Sequence, residues 1–341
     1  MNRRRALVFA GAGASYAVDK EAYPTTVQFF SKLPEKIRDH ALIQAIVAHL
    51  PEKFGDGAPD VEKILWCLEE LEEYLWAVDK PKHPASWFLP NNMLPSLVRS
   101  KHEVSSYVVV AREGQKVTTE LRDKIAARVY EFYSGVPDQK SVAKNWQALF
   151  EFLAKKSYWP DVVTTNYDLV IEQASEYAEQ PIDYGKGRGV VSALDLQVWK
   201  RQLAEADYVP VSNGLLTKLH GSVNWLREHG KIVFGGTEFK GNHAYHGVIY
   251  PGFKGVPKEE PFSLMHSYLE AAIQRADLLI FIGFAFRDEY INTCIERNLG
   301  TKVIHVVDPG DVIFPAAFAG NIRHIKRGFD LEAIQDIAAL A

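Results

Sequence analysis

The chain has 341 residues, of which 47 % are hydrophobic and 24 % are charged, and its formal net charge is -4. This composition is typical of a globular protein with a buried core, and it excludes wholesale disorder. The near-neutral balance of charge gives no reason to expect direct nucleic-acid binding, which usually needs a strongly basic face. Two cysteines are too few for a disulfide scaffold or a four-cysteine zinc module.

The N-terminus joins three arginines to a short apolar run, Ala6 to Ala10, and so imitates the start of a signal peptide. A glycine-rich turn follows at once, and a first β-strand therefore explains the run better. No stretch of about 18 apolar residues occurs, so we expect no membrane span. The expected location is the cytoplasm.

Five short apolar runs along the chain have the character of strands that are buried on both faces of a sheet. Most precede a polar or glycine-rich turn and then a helical pattern, as at Leu169 to Ala178 and Asp288 to Arg297. This alternation predicts an α/β fold with a Rossmann-like doubly wound parallel sheet, which binds ligands at the carboxyl ends of its strands. The runs are Ala6 to Ala10, Val162 to Thr164, Leu215 to Leu219, Leu278 to Ile282 and Val303 to Val307.

Between the first two runs, apolar residues recur at the spacing of amphipathic helices. We therefore predict a helical insertion at residues 30–158 within a single domain of residues 1–341. Four prolines between Pro81 and Pro95 predict an irregular loop inside this insertion. The predicted helices are Ser31 to His49, Val61 to Val78, Thr119 to Tyr133 and Ser141 to Lys156, with Ser141 as an N-cap.

Glycines and prolines become frequent again later in the chain and predict a small loop region at residues 223–262. Lys231 to Phe234 and Gly247 to Tyr250 are expected to form a hairpin there. A final helix is predicted from Asp330 to Leu340, and the segment after Asp308 is too short for an appended sensor domain.

The first strand ends in the motif Gly11-Ala12-Gly13-Ala14-Ser15. Small residues allow backbone N–H groups to approach a pyrophosphate, and the Ser15 hydroxyl can donate to it. Tyr16 stands where the usual dinucleotide fingerprint has its third glycine. Taken alone, the motif is equally compatible with a pyrophosphate site and with a tight strand-to-helix turn that binds no ligand.

Three more polar or glycine clusters follow later strands. They are Thr164-Thr165-Asn166-Tyr167-Asp168, Lys218-Leu219-His220-Gly221-Ser222 and Ile282-Gly283-Phe284. In this order the four motifs, which span the first strand to about Asp308, resemble the nicotinamide-dependent sirtuin superfamily. The closer resemblance is to its divergent bacterial branch, the sirtuin-like NAD hydrolases of antiphage defence, in which a TTNYD-type sequence replaces the TQNxD of the deacetylases.

The resemblance implies a division of labour between a histidine and an asparagine. His220 matches the family's general base, and an imidazole suits that role because it titrates near neutral pH. Asn166 cannot act as a base, but it matches the residue that holds the ribose or orients water near the anomeric carbon. A lone histidine at a strand end is more often structural, so the role of His220 depends on the other motifs.

The same resemblance assigns NAD-binding roles to residues of every motif. The first turn is expected to hold the pyrophosphate, the loop from Tyr23 to Thr26 to close over the nicotinamide ribose, and Asp168 to bind the carboxamide. Asp168 also fits the N-cap of the following helix, and this alternative stays open. The cofactor-binding residues are Gly11, Ala12, Gly13, Ser15, Tyr23, Thr25, Asp168, Gly221, Gly283, Phe284 and Asp308.

The later motifs complete this expected site. Gly221 is expected to allow close approach of the sugar. Gly283 and Phe284 are expected to line the adenosine side, and Asp308 to accept a hydrogen bond from a ribose hydroxyl.

Protein-deacetylating sirtuins carry a four-cysteine zinc ribbon after the His-Gly strand, whereas no cysteine lies between Cys67 and Cys294 here. We therefore expect no zinc or other metal, and no cofactor besides NAD as the substrate. Water then becomes the natural acceptor of ADP-ribose, and the leading prediction is an NAD+ hydrolase that makes nicotinamide and ADP-ribose. The alternatives are a sirtuin-type protein deacylase or ADP-ribosyltransferase, and an inactive nucleotide-binding sensor or scaffold subunit.

The resemblance also implies a biological setting, in which the protein is a toxic NAD-depleting effector of antiphage defence by abortive infection. An unregulated NAD hydrolase would kill its host. Control by homo-oligomerisation, or by a separate regulatory partner such as an ATPase or an Argonaute-like protein, is therefore expected. The helical insertion is the expected assembly surface.

Overall fold

Within the residues that the computed structural model describes, nine strands form two sheets. Those residues are 4–54, 59–79, 101–135, 139–179, 182–187, 192–205, 208, 212–242, 245–250 and 257–340. The strands are β1 (Arg4–Ala10), β2 (Tyr158–Thr164), β3 (Leu215–Lys218), β4 (Gly221–Glu228), β5 (Lys231–Phe234), β6 (His246–Val248), β7 (Leu278–Ile282), β8 (Ile304–Val307) and β9 (Ile322–Ile325).

The helices of the same residues surround these sheets. They are α1 (Ala12–Tyr16), α2 (Thr26–Lys32), α3 (Glu35–Arg38), α4 (Ala41–Phe54), α5 (Val61–Asp79), α6 (Lys101–Tyr133), α7 (Gln139–Lys155), α8 (Val170–Tyr177), α9 (Gln197–Ala204), α10 (Phe262–Arg275), α11 (Glu289–Asn298) and α12 (Leu331–Leu340). Helices α1 to α7 all lie between β1 and β2 in the chain. The division into one domain with an insertion at residues 30–158 and a small region at residues 223–262 stays a prediction.

The larger sheet has six parallel strands in the order β3-β2-β1-β7-β8-β9. This order reverses direction between β1 and β7, as in a doubly wound fold, and it places a topological switch point at the end of β1. The predicted α/β class and Rossmann-like doubly wound sheet are thus confirmed. All five predicted strands belong to this sheet, and β9 adds a sixth that the sequence did not suggest.

Each face of the sheet packs into its own hydrophobic core. Along β1, Ala6, Val8 and Ala10 face the core that includes α5, α6 and α7. Leu7 and Phe9 face the opposite core, which includes α10 and α11. Burial on both faces explains why β1 reads as a continuous apolar run rather than an alternating one.

The smaller sheet is antiparallel, with β4 between β5 and β6. The predicted hairpin between Lys231 to Phe234 and Gly247 to Tyr250 is therefore wrong, because both segments pair with β4 instead of with each other. The connection from β4 to β5 is a two-residue turn of His229 and Gly230, and both residues have positive φ. This turn type matches the right-handed twist of paired strands, and it was the available signal for the true hairpin.

The predicted helix from Ser31 to His49 is interrupted. Helix α2 ends at Lys32, α3 covers only Glu35–Arg38, and α4 starts at Ala41. Leu33 has an extended backbone with ψ of 145°. Pro34 accounts for this break, because the residue before a proline is disfavoured in the helical region.

Two other expectations about the insertion need correction, and a third falls on residues outside the described ranges. Helix α7 begins at Gln139, so Ser141 lies inside the helix and is not its N-cap. Helix α6 begins at Lys101, well before the predicted start at Thr119. The predicted loop from Pro81 to Pro95 lies outside the described residues.

Candidate functional site

The first motif is fastened to the turn that follows β7, across the topological switch point. The Gly11 N–H donates to the Ile282 carbonyl at 2.9 Å, and the Gly13 N–H donates to the Gly283 carbonyl at 3.0 Å. A Cβ atom on Gly11 would lie 2.5 Å from the Gly283 oxygen, and one on Gly13 would lie 2.7 Å from the Gly283 Cα. These glycines are required by contact between two backbones, whether or not the turn binds a phosphate.

Gly283 is constrained from both sides. Its φ of +57° lies in the left-handed region that favours glycine. A Cβ atom there would overlap the backbone of Gly13 and Ala14. The predicted adenosine-lining residue Gly283 is therefore also the packing partner of the predicted pyrophosphate turn.

Asn166 joins the second motif to the first. Its Nδ2 group donates to the Gly11 carbonyl at 2.9 Å and to the Ser15 Oγ at 3.0 Å, and its side chain is only 8 % exposed. Its backbone N–H donates to the Thr164 hydroxyl at 3.0 Å, and that hydroxyl donates to the Ala10 carbonyl at 2.8 Å. The structure thus brings the predicted catalytic Asn166 against the predicted pyrophosphate residues Gly11 and Ser15.

Asp168 lies on the other side of Ser15. The Ser15 hydroxyl is hydrogen-bonded to the Asp168 carboxylate, whose Oδ1 also accepts from the Val170 N–H at 3.0 Å. Burial raises the pKa of Asp168, whereas nearby Lys218 and these hydrogen bonds lower it. The carboxylate does serve the start of α8, although Leu169 rather than Asp168 occupies the N-cap position.

Lys218 is a buried basic residue next to Asp168, and the sequence analysis gave it no role. Its Nζ donates to the Asp168 carbonyl oxygen and to Glu172 Oε1, the latter at 2.9 Å. The Lys218 and Glu172 side chains are both largely buried, so the pair is a buried salt bridge. It ties β3 to the first turn of α8.

His220 follows β3 and is 4 % exposed. Its Nδ1 is buried without a hydrogen-bond partner in the described part of the chain. Burial, with a smaller contribution from nearby His266, lowers the pKa of His220 to about 3, although a hydrogen bond with the Thr165 backbone acts in the opposite direction. The imidazole is therefore neutral at neutral pH and carries a free lone pair.

A second histidine lies beside His220. The His266 ring is 6.4 Å from the His220 ring, with an angle of 24° between their planes. Its Nδ1 lies 2.8 Å from the Phe262 carbonyl, which can only accept, so Nδ1 carries the proton. Nothing in the local sequence of α10 marks His266, because its neighbour comes from a distant segment.

Gly221 contacts protein rather than open space. Its φ is +86°, and a Cβ atom there would overlap the Gly247 carbonyl oxygen. The chain after β6 also holds the start of β4 in place, because the Ile249 N–H donates to the His220 carbonyl at 2.9 Å. Contact between β4 and β6 is therefore enough to require glycine at this position.

The other predicted site residues belong to several different segments of the chain. Tyr23 is 1 % exposed and donates its hydroxyl to the Gly135 carbonyl at 2.9 Å, while Thr25 caps α2 in a capping box with Gln28. Phe284 is buried in an aromatic cluster with Phe9, and Ala12 begins α1. Asp308 follows β8 and accepts from the Gly310 N–H at 2.8 Å.

The sequence analysis did not name Glu62, and it named Tyr167 only as a member of the second motif. The Tyr167 hydroxyl lies 2.7 Å from Glu62 Oε1, although 105 residues separate the two in the chain. Burial raises the pKa of Glu62 to about 8. The apolar face of α5 was visible in the sequence, but the tertiary contact that buries Glu62 was not.

Three further observations concern the rest of the described structure. A groove of about 460 Å³ lies beside β5, with Tyr184, Lys186 and Asn224 in its lining, and it contains none of the predicted site residues. Among the described residues, no group of three or more His, Cys, Asp or Glu side chains is placed to hold a metal ion. No helix in that part of the chain is both long and apolar enough to cross a membrane.

Comparison with known proteins gives one family match. Residues 160–302 match the family model of the SIR2-like domain, and this segment contains Asn166, Asp168, His220, Gly221 and Gly283. The first motif and Asp308 lie outside the matched segment. No curated protein matches the chain in sequence.

Solved structures with a similar chain path include several Sir2 homologues. A Sir2 homologue mutant in complex with ADP ribose has 11 % identity and a TM-score of 0.44, with 99 % of this chain and 92 % of that chain covered. A Sir2 homolog–NAD complex has 11 % identity and a TM-score of 0.39, with 99 % and 89 % covered. We base no functional conclusion on these similarities.

Proposed function

We propose that this protein cleaves the N-glycosidic bond of NAD+ and transfers ADP-ribose to water, releasing nicotinamide. The observation that carries the proposal is the junction of Asn166 with Gly11 and Ser15, beside Asp168 and at the carboxyl ends of β1 and β2. Ligands of doubly wound sheets bind at this place. The match of residues 160–302 to a SIR2-like family model supports the same assignment.

The reaction asks for positioning more than for covalent chemistry. Nicotinamide leaves as a neutral molecule, and the barrier lies in forming a sugar with oxocarbenium character. Polar oxygens that are fixed near the developing charge lower that barrier, because they need no reorganisation during the reaction. In this proposal Asn166 orients the ribose or the attacking water, and Asp168 binds the carboxamide.

His220 is the proposed general base. Its lone pair is available because burial keeps the imidazole neutral, with a pKa of about 3. A base of such low pKa is weak, but an anionic pyrophosphate bound nearby would raise the pKa of His220, since negative charge stabilises the imidazolium. Substrate binding would therefore shift the pKa of His220 upward and make it a stronger base.

Hydrolysis is preferred over transfer to a protein because the chain lacks the cysteines of the deacetylase zinc ribbon. The deciding experiment incubates the purified protein with NAD+ alone and separates the products by chromatography. Nicotinamide and ADP-ribose in equal amounts would support hydrolysis. Turnover that appears only with an acylated or acceptor protein would instead support a deacylase or an ADP-ribosyltransferase, and binding without turnover would support a nucleotide-binding scaffold.

The proposed biological role is depletion of NAD in antiphage defence. Such an effector needs restraint, which we propose comes from homo-oligomerisation or from a separate partner such as an ATPase or an Argonaute-like protein. Light scattering on the purified chain, combined with the NAD assay, tests this. A monomer that is fully active without additions would contradict it.

A further inference from the structure

The Tyr167 hydroxyl faces two oxygen atoms. Glu62 Oε1 lies 2.7 Å away, and the Ile249 carbonyl oxygen lies 3.2 Å away. A phenol has one proton to donate, and a carbonyl can only accept. Both hydrogen bonds form at full strength only when Glu62 carries a proton and donates it to Tyr167, so that Tyr167 can donate to Ile249.

The surroundings of Glu62 favour that protonated state. Glu62 is a half-buried residue in the first turn of α5, near the acidic Asp60 and Asp288, and Lys63 is the opposing cation. Three phenols, Tyr133, Tyr167 and Tyr250, also face it. Burial raises the pKa of Glu62 to about 8, and the two aspartates act in the same direction. Below that pH the group is a neutral donor.

Ile249 carries the connection to the candidate site. Its carbonyl accepts from Tyr167, and its N–H donates to the His220 carbonyl at 2.9 Å. One peptide segment is thus held from both sides, by Tyr167 of the second motif and by His220 of the third. The Tyr167 ring also lies 6.3 Å from the His220 ring.

We propose that Glu62 is a positioning residue that acts as a neutral carboxylic acid and fixes the His220 segment through Tyr167 and the Ile249 peptide. Its connection to catalysis rests on the proposed function, because that function makes His220 the base. The effect of Glu62 on the Ile249 peptide does not depend on the proposed function. Above the pKa of Glu62, the carboxylate competes with the Ile249 carbonyl for the single Tyr167 proton, and the segment loosens.

The experiment compares the wild type with Glu62→Gln, whose amide still donates to Tyr167 but cannot ionise. Glu73→Gln, at an exposed position of the same helix, is the matched control. Hydrogen exchange at the Ile249 amide is measured at about pH 6.5 and about pH 9 and corrected for the intrinsic rate, since exchange reports local opening. For the wild type and Glu73→Gln we expect protection to fall about fivefold at the higher pH, the effect of one weakened hydrogen bond.

In Glu62→Gln, protection of the Ile249 amide should be the same at both pH values. In Tyr167→Phe, the protection that the Tyr167 hydrogen bond provides should be absent at both pH values. A fall in Glu62→Gln equal to that in the wild type would overturn the proposal. So would protection in the wild type that does not change with pH, or protection in Tyr167→Phe as high as that of the wild type at about pH 6.5. These readouts need no NAD, so they test the inference even if the protein does not cleave NAD.

Activity supplies the second arm. If NAD is cleaved, the wild type should lose activity as the pH rises through about 8, while Glu62→Gln should keep it. Failure of all variants to cleave NAD would contradict the proposed function but leave the exchange result standing. If the wild type and Glu62→Gln both lost activity at alkaline pH while the exchange pattern was as expected, Glu62 would have no connection to catalysis. This result would overturn its positioning role.

Discussion

At the scale of single residues, the candidate site is made of side chains that already have protein partners. The Asn166 amide is hydrogen-bonded to Gly11 and Ser15, and the Asp168 carboxylate is hydrogen-bonded to Ser15 and Val170. His220 differs, because its buried Nδ1 has no such partner among the residues that the structure describes. Buried polar atoms without partners are unusual, and a ligand is one explanation for them.

The first prediction concerns His220. We expect His220→Asn to lower the rate constant for NAD cleavage by about 10²–10⁴-fold, the typical contribution of a general base. The measurement is steady-state kinetics with NAD+ alone. The control is His229→Asn, in an exposed turn with positive φ that asparagine tolerates. Equal loss in both variants, or no loss in His220→Asn, would speak against a catalytic His220.

The second prediction concerns Asn166. Replacing it by alanine removes the donors to the Gly11 carbonyl and the Ser15 hydroxyl, which stay buried. We expect the free energy of unfolding to fall by about 1–3 kcal/mol. Urea denaturation of Asn166→Ala beside the wild type measures this. An unchanged midpoint would mean that these hydrogen bonds contribute little.

At the scale of elements, the salt bridge between Lys218 and Glu172 holds β3 to α8. Lys218→Met would leave Glu172 as a buried charge without its partner, and we expect destabilisation of about 3–5 kcal/mol at neutral pH. Burial already raises the pKa of Glu172, and loss of Lys218 would raise it further. The deficit should therefore shrink as the pH falls and Glu172 becomes protonated.

Denaturation of Lys218→Met across a range of pH checks this prediction. The double variant with Glu172→Gln supplies the control, because it removes the unpaired charge together with the lysine. It should recover part of the lost stability. A deficit that is constant with pH would show that packing, and not charge, is the cause.

The same scale shows what the sequence could and could not reveal. Strands with continuous apolar runs were predictable because burial on both faces leaves a strong local signal. β9 was missed because its four residues, Ile-Arg-His-Ile, have two polar residues at their centre and form neither a continuous apolar run nor an alternating pattern. The hairpin of β4 with β5 was missed although its turn of His229 and Gly230 gave a local signal, whereas the pairing of β4 with β6 depends on tertiary contacts.

The candidate site divides in the same way. The four motifs were visible because each stands directly after a predicted strand, and doubly wound sheets collect such turns at one edge. Glu62, Lys218 and His266 received no role, because their partners come from distant parts of the chain. Packing of Gly221 on β6 likewise offers a structural reason for a residue that the motif alone assigned to the sugar.

At the scale of the whole molecule, NAD should stabilise the fold if the site binds it. A ligand at 100 times its dissociation constant adds about 2.7 kcal/mol to the free energy of unfolding. We therefore expect saturating NAD+ to raise the melting temperature of His220→Asn, which binds without rapid turnover, by roughly 2–4 °C. Differential scanning fluorimetry checks this. Asn166→Ala should show a smaller rise, and no rise in either variant would count against an NAD site.

The order of strands in the larger sheet also bears on how the protein is made. β1 leaves the ribosome well before its neighbours β2 and β7, which begin at Tyr158 and Leu278. Such distant pairing is slow, because the loop entropy is lost before the contacts form. The Gly11 turn gains its Asn166 and Ile282 contacts only late in synthesis. If this is an NAD-destroying enzyme, a ribosome-bound nascent chain is therefore harmless until most of it has emerged.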